Sequence, residues 1–134
     1  MNRLIAAAAA ILFASVGPWV LPAAADDAYD KCIDQSDGTN TAWGECGGAF
    51  MKRADDALNA TWKRVYALTD GDTKTALLAE QRLWVKFKEG ACQFYASGDF
   101  GREGQVLSYP ACQASIIEDR TTALKGYEGD FSPQ

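Results

Sequence analysis

Apolar residues recur at helical spacing along most of this chain. Between 41 and 69 they fall at Trp43, Cys46, Phe50, Ala54, Ala57, Leu58, Trp62, Val65 and Leu68. The steps are mostly three and four, the period of one buried helical face. Lys52, Arg53, Asp56, Lys63 and Arg64 take much of the opposite side, so an amphipathic helix is predicted over 41–69, with Thr39 or Thr41 as its cap. Asp70-Gly71-Asp72 ends it and starts the next. Over 73–96 a second stripe runs through Leu77, Trp84, Phe87, Ala91 and Phe94, with the roughly 3.5-residue average of an antiparallel bundle. Trp62, Trp84 and Phe87 are therefore expected in the core.

The remaining segments complete the same architecture. Residues 27–35 read as a short helix that turns Tyr29, Cys32 and Ile33 inward, followed by the turn cluster Ser36-Asp37-Gly38-Thr39-Asn40. The stretch 97–104 carries Gly98, Gly101 and Gly104 and is expected as a loop. A fourth helix is predicted from about Ser108, with Pro110 tolerated in its first turn. It carries Cys112, Ile116, Ile117, Ala123 and Leu124 and ends near Gly126, which leaves 127–134 as a flexible polar tail. No strand alternation interrupts the pattern. The expected fold is all-α, a small antiparallel bundle of one short and three longer helices. Gly44, Gly47 and Gly48 leave one point open, since a glycine costs a helix interior up to about 1 kcal/mol relative to alanine. Either another helix approaches closely there, the first helix being the candidate, or the second helix begins only after Gly48.

Ahead of these elements the pattern changes. Asn2 and Arg3 precede an apolar run from Leu4 to Leu21, broken only by Ser15, Gly17 and Pro18, and Ala23-Ala24-Ala25 then meets Asp26-Asp27. A positive start, an apolar run and a small-residue ending make a secretion signal. Such a run is also long enough for a membrane anchor, but Gly17-Pro18 weakens a spanning helix. Residues 1–25 are thus read as a cleaved signal and 26–126 as the folded domain. The product is expected in the periplasm or outside the cell, without a membrane anchor.

Export changes the meaning of the cysteines. All four, Cys32, Cys46, Cys92 and Cys112, lie in the mature part, and an even count in an oxidising compartment points to disulfides rather than a zinc site. Three pairings exist. Cys32 and Cys46 flank one turn, and Cys92 and Cys112 flank one loop. Across an antiparallel hairpin such positions approach within the roughly 5–6 Å Cα separation a bridge needs. The expected pairs are therefore Cys32–Cys46 and Cys92–Cys112.

Composition narrows the chemistry. The chain has 18 acidic and 13 basic residues and no histidine. Loss of Arg3 with the leader makes the net charge of −5 one unit more negative, which disfavours nucleic-acid binding. Without histidine there is no Ser-His-Asp or Cys-His catalysis and no His-ligated metal. The acid pairs Asp26/Asp27 and Asp55/Asp56 are adjacent in sequence and point in different directions on a helix. A glycosidase needs carboxylates about 5–9.5 Å apart across a cleft. No enzyme, metal or cofactor is expected.

The densest segment runs from Glu80 to Cys92. Gln81-Arg82-x-Trp84-x-x-Phe87-Lys88-x-x-x-Cys92 follows Asp55-x-x-Leu58-Asn59 and precedes Cys112 with Arg120 and Leu124 downstream. Over roughly 32–124 this pattern resembles the LprI-type lysozyme inhibitor domain. Lys88 stands where that family usually has arginine, and the glycine-rich stretch before Cys112 is looser than the family pattern. The resemblance implies an exported protein that binds and blocks a lysozyme (a muramidase) by protein–protein contact. The competing reading is a periplasmic structural or interaction module with another protein partner. Acidic charge suits a cationic lysozyme, although it also simply keeps an exported protein soluble. Oligomeric state is left open.

Two groups of residues are candidates for roles. Asp55, Asn59, Gln81 and Arg120 lie at the edge of the apolar stripes and are expected to form an interhelical polar cluster, with Arg120 meeting Asp55 or another acid such as Glu89. Asp99, Phe100, Arg102 and Glu103 would be displayed on the loop between Cys92 and Cys112, where tethering lowers the ordering cost of binding. An apolar tip with charges could enter the cleft of a glycosidase, with Arg102 meeting a catalytic acid. Read as a plain connector, the same loop needs no partner.

Overall fold

The computed structural model describes residues 26–131. The expected signal at 1–25 and the end of the expected tail at 132–134 lie outside the described residues. Four main helices follow in order: α1 (Asp27–Gln35), α2 (Asn40–Leu68), α3 (Gly71–Gly90) and α4 (Tyr109–Phe131). Short turns join α3 to α4: a helical turn at Gln93–Ala96, a 3-10 turn at Gly98–Phe100, a helical turn at Gly101–Glu103 and a π turn at Gly104–Ser108. No strand occurs among the described residues, in line with the all-α expectation.

The helix starts are set by side-chain oxygens that accept otherwise orphaned N–H groups. The Asp26 carboxylate accepts from Ala28 and Tyr29, each at 2.9 Å, and opens α1. Thr39 Oγ1 accepts from Ala42 at 3.2 Å and opens α2. The expected hinge after 69 is present, and α3 begins at Gly71 with φ +48°, in the left-handed region open to glycine. Where the sequence placed a tail from Tyr127, α4 instead runs on to Phe131. Arg64 of α2 pairs with Glu128 at 2.6 Å, which fastens that extra turn.

The core lies mainly between α2 and α4. It consists of Phe50, Ala54, Leu58 and Val65 from α2, Leu77 from α3, and Ala114, Ile117 and Leu124 from α4. Tyr29, Met51, Trp62, Trp84 and Tyr127 pack around its edge. On α4 the buried face also includes Gln113, Arg120 and Thr121, whereas Ala123 is exposed.

The stripe expected on α3 is only half right. Leu77 is buried and Trp84 packs at the core edge, but Phe87 is 60% exposed. The inward face carries Leu77, Gln81, Trp84 and Lys88, of which only Leu77 is fully buried. Phe87 sits one residue off that line, a rotation of about 100° around the helix axis. Phe94 is 69% exposed, because α3 stops at Gly90 and the period does not carry beyond it.

Both disulfides join the neighbours expected from the hairpin argument. Cys32 is bonded to Cys46 with a Cα separation of 5.7 Å, and Cys92 to Cys112 at 6.0 Å. By the chain-entropy account each loop closure stabilises by on the order of 3 kcal/mol.

The glycines near the start of α2 divide into two kinds. The helix runs through all three. A Cβ on Gly47 would lie 2.7 Å from Pro110 Cγ, so the close approach is made by α4 and not by α1. Gly44 and Gly48 have nothing within 4 Å of a built Cβ. Gly47→Ala is therefore expected to destabilise by about 2 kcal/mol through overpacking. Gly44→Ala and Gly48→Ala should each stabilise by about 0.5–1 kcal/mol through helix propensity. Urea unfolding followed by circular dichroism checks the opposite signs.

Candidate functional site

Two arrangements bring polar and aromatic residues together. The first joins α3 to α4 around Arg120, whose side chain is only 6% exposed. Its Nε donates to Gln81 Oε1 at 2.9 Å, and its Nη1 pairs with the Glu80 carboxylate. Tyr127 Oη donates to the same Glu80 oxygen at 3.0 Å, and the Tyr127 ring centroid lies 6.0 Å from the guanidinium. Arg120 Nη2 is left without a hydrogen-bond partner.

Of the four residues expected to cluster, Gln81 and Arg120 are brought together. Asp55 is not with them and faces Lys88 Nζ at 4.0 Å. Asn59 is exposed. Arg120 thus meets Glu80, not Asp55 or Glu89. The polar edge of α3 supplies Glu80 and Gln81 as neighbours, whereas Glu89 is more than two turns farther along. Nearby, Gln113 donates to the carbonyls of Lys88 at 3.0 Å and Ala91 at 2.8 Å, which satisfies the C-terminal end of α3 from α4. Sequence reasoning passed over Glu80, Tyr127 and Gln113. Their only signal was polarity on helical faces that also carry core residues.

The second arrangement is the segment between the cysteines at 92 and 112. Phe100 is 38% exposed and meets Phe94 edge to face at 4.8 Å and Tyr95 at 5.5 Å, with Phe94 and Tyr95 at 5.4 Å. These three rings form one aromatic cluster, and Phe94 is its most exposed member. Asp99, Arg102 and Glu103 are exposed beside it, and Arg102 donates to Gln105 at 3.1 Å. The expected open loop is therefore a folded series of turns. Its compactness rests on Gly104, which is buried, since a Cβ there would strike the Phe100 side chain and the Tyr95 carbonyl. Phe94 and Tyr95 were missed because the sequence stripe extended α3 through them. Gly90, the last residue of α3, is the signal that the helix stops.

A groove of about 630 Å³ lies between α1, α2 and α4. Its lining includes Asp26, Asp30, Glu118 and Asp119, opposed by Arg53 and Lys125. Burial pushes the Glu118 carboxyl above its ordinary range, and the nearby Asp26 and Asp119 carboxylates push the same way. Asp26 is already engaged, through its cap on α1 and a 2.9 Å pair with Arg53. Asp56 pairs with Lys52 at 2.7 Å, so Asp55 and Asp56 serve different cations. Among the described residues no group of three or more metal-ligating side chains is placed to hold an ion. Among them, too, no helix is long and apolar enough to cross a membrane.

The hydrogen bond from Arg120 holds the Glu80 carboxyl below its ordinary range, against burial and with help from Tyr127. A carboxylate held low stabilises the fold above its unfolded range and loses that contribution as pH falls through the folded one. Glu80→Ala strands the buried guanidinium. We expect it to cost about 2 kcal/mol at neutral pH, at the modest end for such pairs because water reaches Glu80. The deficit should shrink as pH drops below the usual glutamate range, where the parent protein loses the same pairing. Urea midpoints measured across acidic and neutral pH test both parts.

The family model of lysozyme inhibitor LprI matches residues 32–124. No curated protein matches the chain, and no solved structure does. The matched segment opens at Cys32 and closes at Leu124, so it contains both disulfides, Arg120 with its partners Glu80 and Gln81, and the aromatic turn segment, with Tyr127 just beyond it. The chain belongs to the LprI lysozyme inhibitor family.

Proposed function

We propose that this protein is exported and binds a lysozyme-type muramidase by protein–protein contact, blocking it without catalysis or cofactor. The family match carries the reading. The two disulfides support an oxidising compartment. An acidic surface favours encounter with a cationic enzyme and makes the association rate fall with added salt.

The contact surface we assign is the segment between Cys92 and Cys112. Aromatic side chains dominate binding energy at protein interfaces when they are presented rigidly. Here Phe94 and Phe100 hold each other edge to face on a segment closed by a disulfide and laid over Gly104. Asp99, Arg102 and Glu103 surround them as a charged rim. Little ordering cost remains to be met on binding.

A cell-lysis assay with a cationic chicken-type lysozyme tests this. The protein should inhibit in a dose-dependent way at fixed stoichiometry. Phe94→Ala and Phe100→Ala should each weaken inhibition about tenfold or more. Asp99→Ala and Arg102→Ala should act mainly on the association rate, by less. Inhibition that survives all four substitutions would move the surface elsewhere. Absence of inhibition across lysozyme classes would leave an interaction module with a different partner.

A further inference from the structure

We propose that the two disulfides have different jobs, and that Cys92–Cys112 is a reducible clasp on the aromatic segment while Cys32–Cys46 is a permanent staple. Three independent features separate them. Cys46, two turns into α2, is 3% exposed and shields its bridge from that side, although its partner Cys32 is half-buried. Cys92 and Cys112 are both only half-buried, and Cys112 lines an open cavity of about 390 Å³ together with Tyr95, Ser108, Ala111, Ser115 and Ile116. The cavity gives a small reductant a route to this side of the bridge. Cys92 also has φ +66°, and among the described residues it is the one non-glycine with positive φ. The left-handed region is unfavourable for a side chain with a Cβ. Breaking the bond frees Cys92 to leave it.

Opening the clasp need not open the bundle. Gln113 still ties the end of α3 to α4 through the Lys88 and Ala91 carbonyls. Arg120 still joins Glu80 and Gln81. What is released is the stretch between the two cysteines, including the Phe94, Tyr95 and Phe100 cluster. The chemistry is ordinary thiol–disulfide exchange. A thiolate of an external dithiol attacks Cys112 Sγ, the Cys92–Cys112 bond breaks, and Cys92 leaves as a thiolate and takes up a proton. The second thiol of the dithiol then attacks the mixed disulfide and releases Cys112. Two electrons pass from the dithiol, which leaves as its cyclic disulfide.

The test needs no lysozyme, so its outcome is separate from the proposed inhibition. The purified oxidised protein is titrated with dithiothreitol, and free thiols are trapped by alkylation and located by peptide mass spectrometry. Cys92 and Cys112 should be labelled at a dithiothreitol concentration at least tenfold below that for Cys32 and Cys46. Simultaneous labelling, or the reverse order, overturns the proposal. The Cys92→Ser/Cys112→Ser double variant provides the second arm. It should keep its far-ultraviolet circular dichroism while amide exchange over 93–108 accelerates and exchange in α2 does not. Loss of helix throughout the variant, or unchanged exchange over 93–108, overturns the claim that the clasp acts locally.

Discussion

The close approach of α2 and α4 at Gly47 and Pro110 is the constraint on which the rest depends. With no side chain on Gly47, the proline ring lies directly against the α2 backbone. From there the two helices run together, and Phe50, Ala54, Leu58 and Val65 meet Ala114, Ile117 and Leu124. Pro110 brings a further requirement, since it cannot donate a backbone hydrogen bond. The preceding turn is widened to a π turn at Gly104–Ser108, in which the Tyr109 N–H reaches back to the Gly104 carbonyl. The same contact that seats α4 on α2 thus shapes the entry of the aromatic segment into α4.

Around that seam the other elements are held by few but specific links. Besides its bridge to α2, α1 is held by the Tyr29 ring stacked on Phe50 at 5.1 Å and by the Asp26–Arg53 pair. Leu77 is the one fully buried apolar side chain that α3 contributes. Its hold on the bundle therefore depends on polar links: Arg120 with Glu80 and Gln81, and Gln113 with the α3 carbonyls. Buried polar links of this kind set the register of a helix more than they add to net stability. Away from α4 the helix exposes Leu83 and Phe87 among charged residues such as Arg82 and Lys86.

The legible parts of the sequence were those governed by local physics. Capping oxygens and turn residues located α1 and the end of α2 to within a residue, while the three glycines left the start of α2 open between 41 and the residue after Gly48. The cysteine pairing followed from hairpin geometry alone. Long-range choices were less legible. Two faces of α3 carry apolar residues, and the sequence does not say which of them meets α4. The partner of Gly47 lies more than sixty residues away in sequence, at Pro110. Arg120 was recognisable as a residue in need of an acid, but several acids were available, and the choice of Glu80 is fixed by the rotation of α3. At the candidate binding segment the charged residues were visible as loop residues. The aromatic cluster was not, because Phe94 fits a helical stripe that the backbone abandons.

The π turn also decides which way the aromatic segment faces. A turn of this kind holds one more residue than an α turn. Residues before it are offset by about a quarter turn from where a regular helix would put them. The azimuth of Phe100 around the α4 axis is thereby uncoupled from the face carrying Ala114, Ile117 and Leu124. Removal of a single residue within 104–108 would restore the regular winding and swing the rings to another compass bearing, with the buried Gly104 and Val106 having to repack while Ala114, Ile117 and Leu124 keep their register on α2. In this fold the length of that window sets the bearing of the surface relative to the α2–α4 seam.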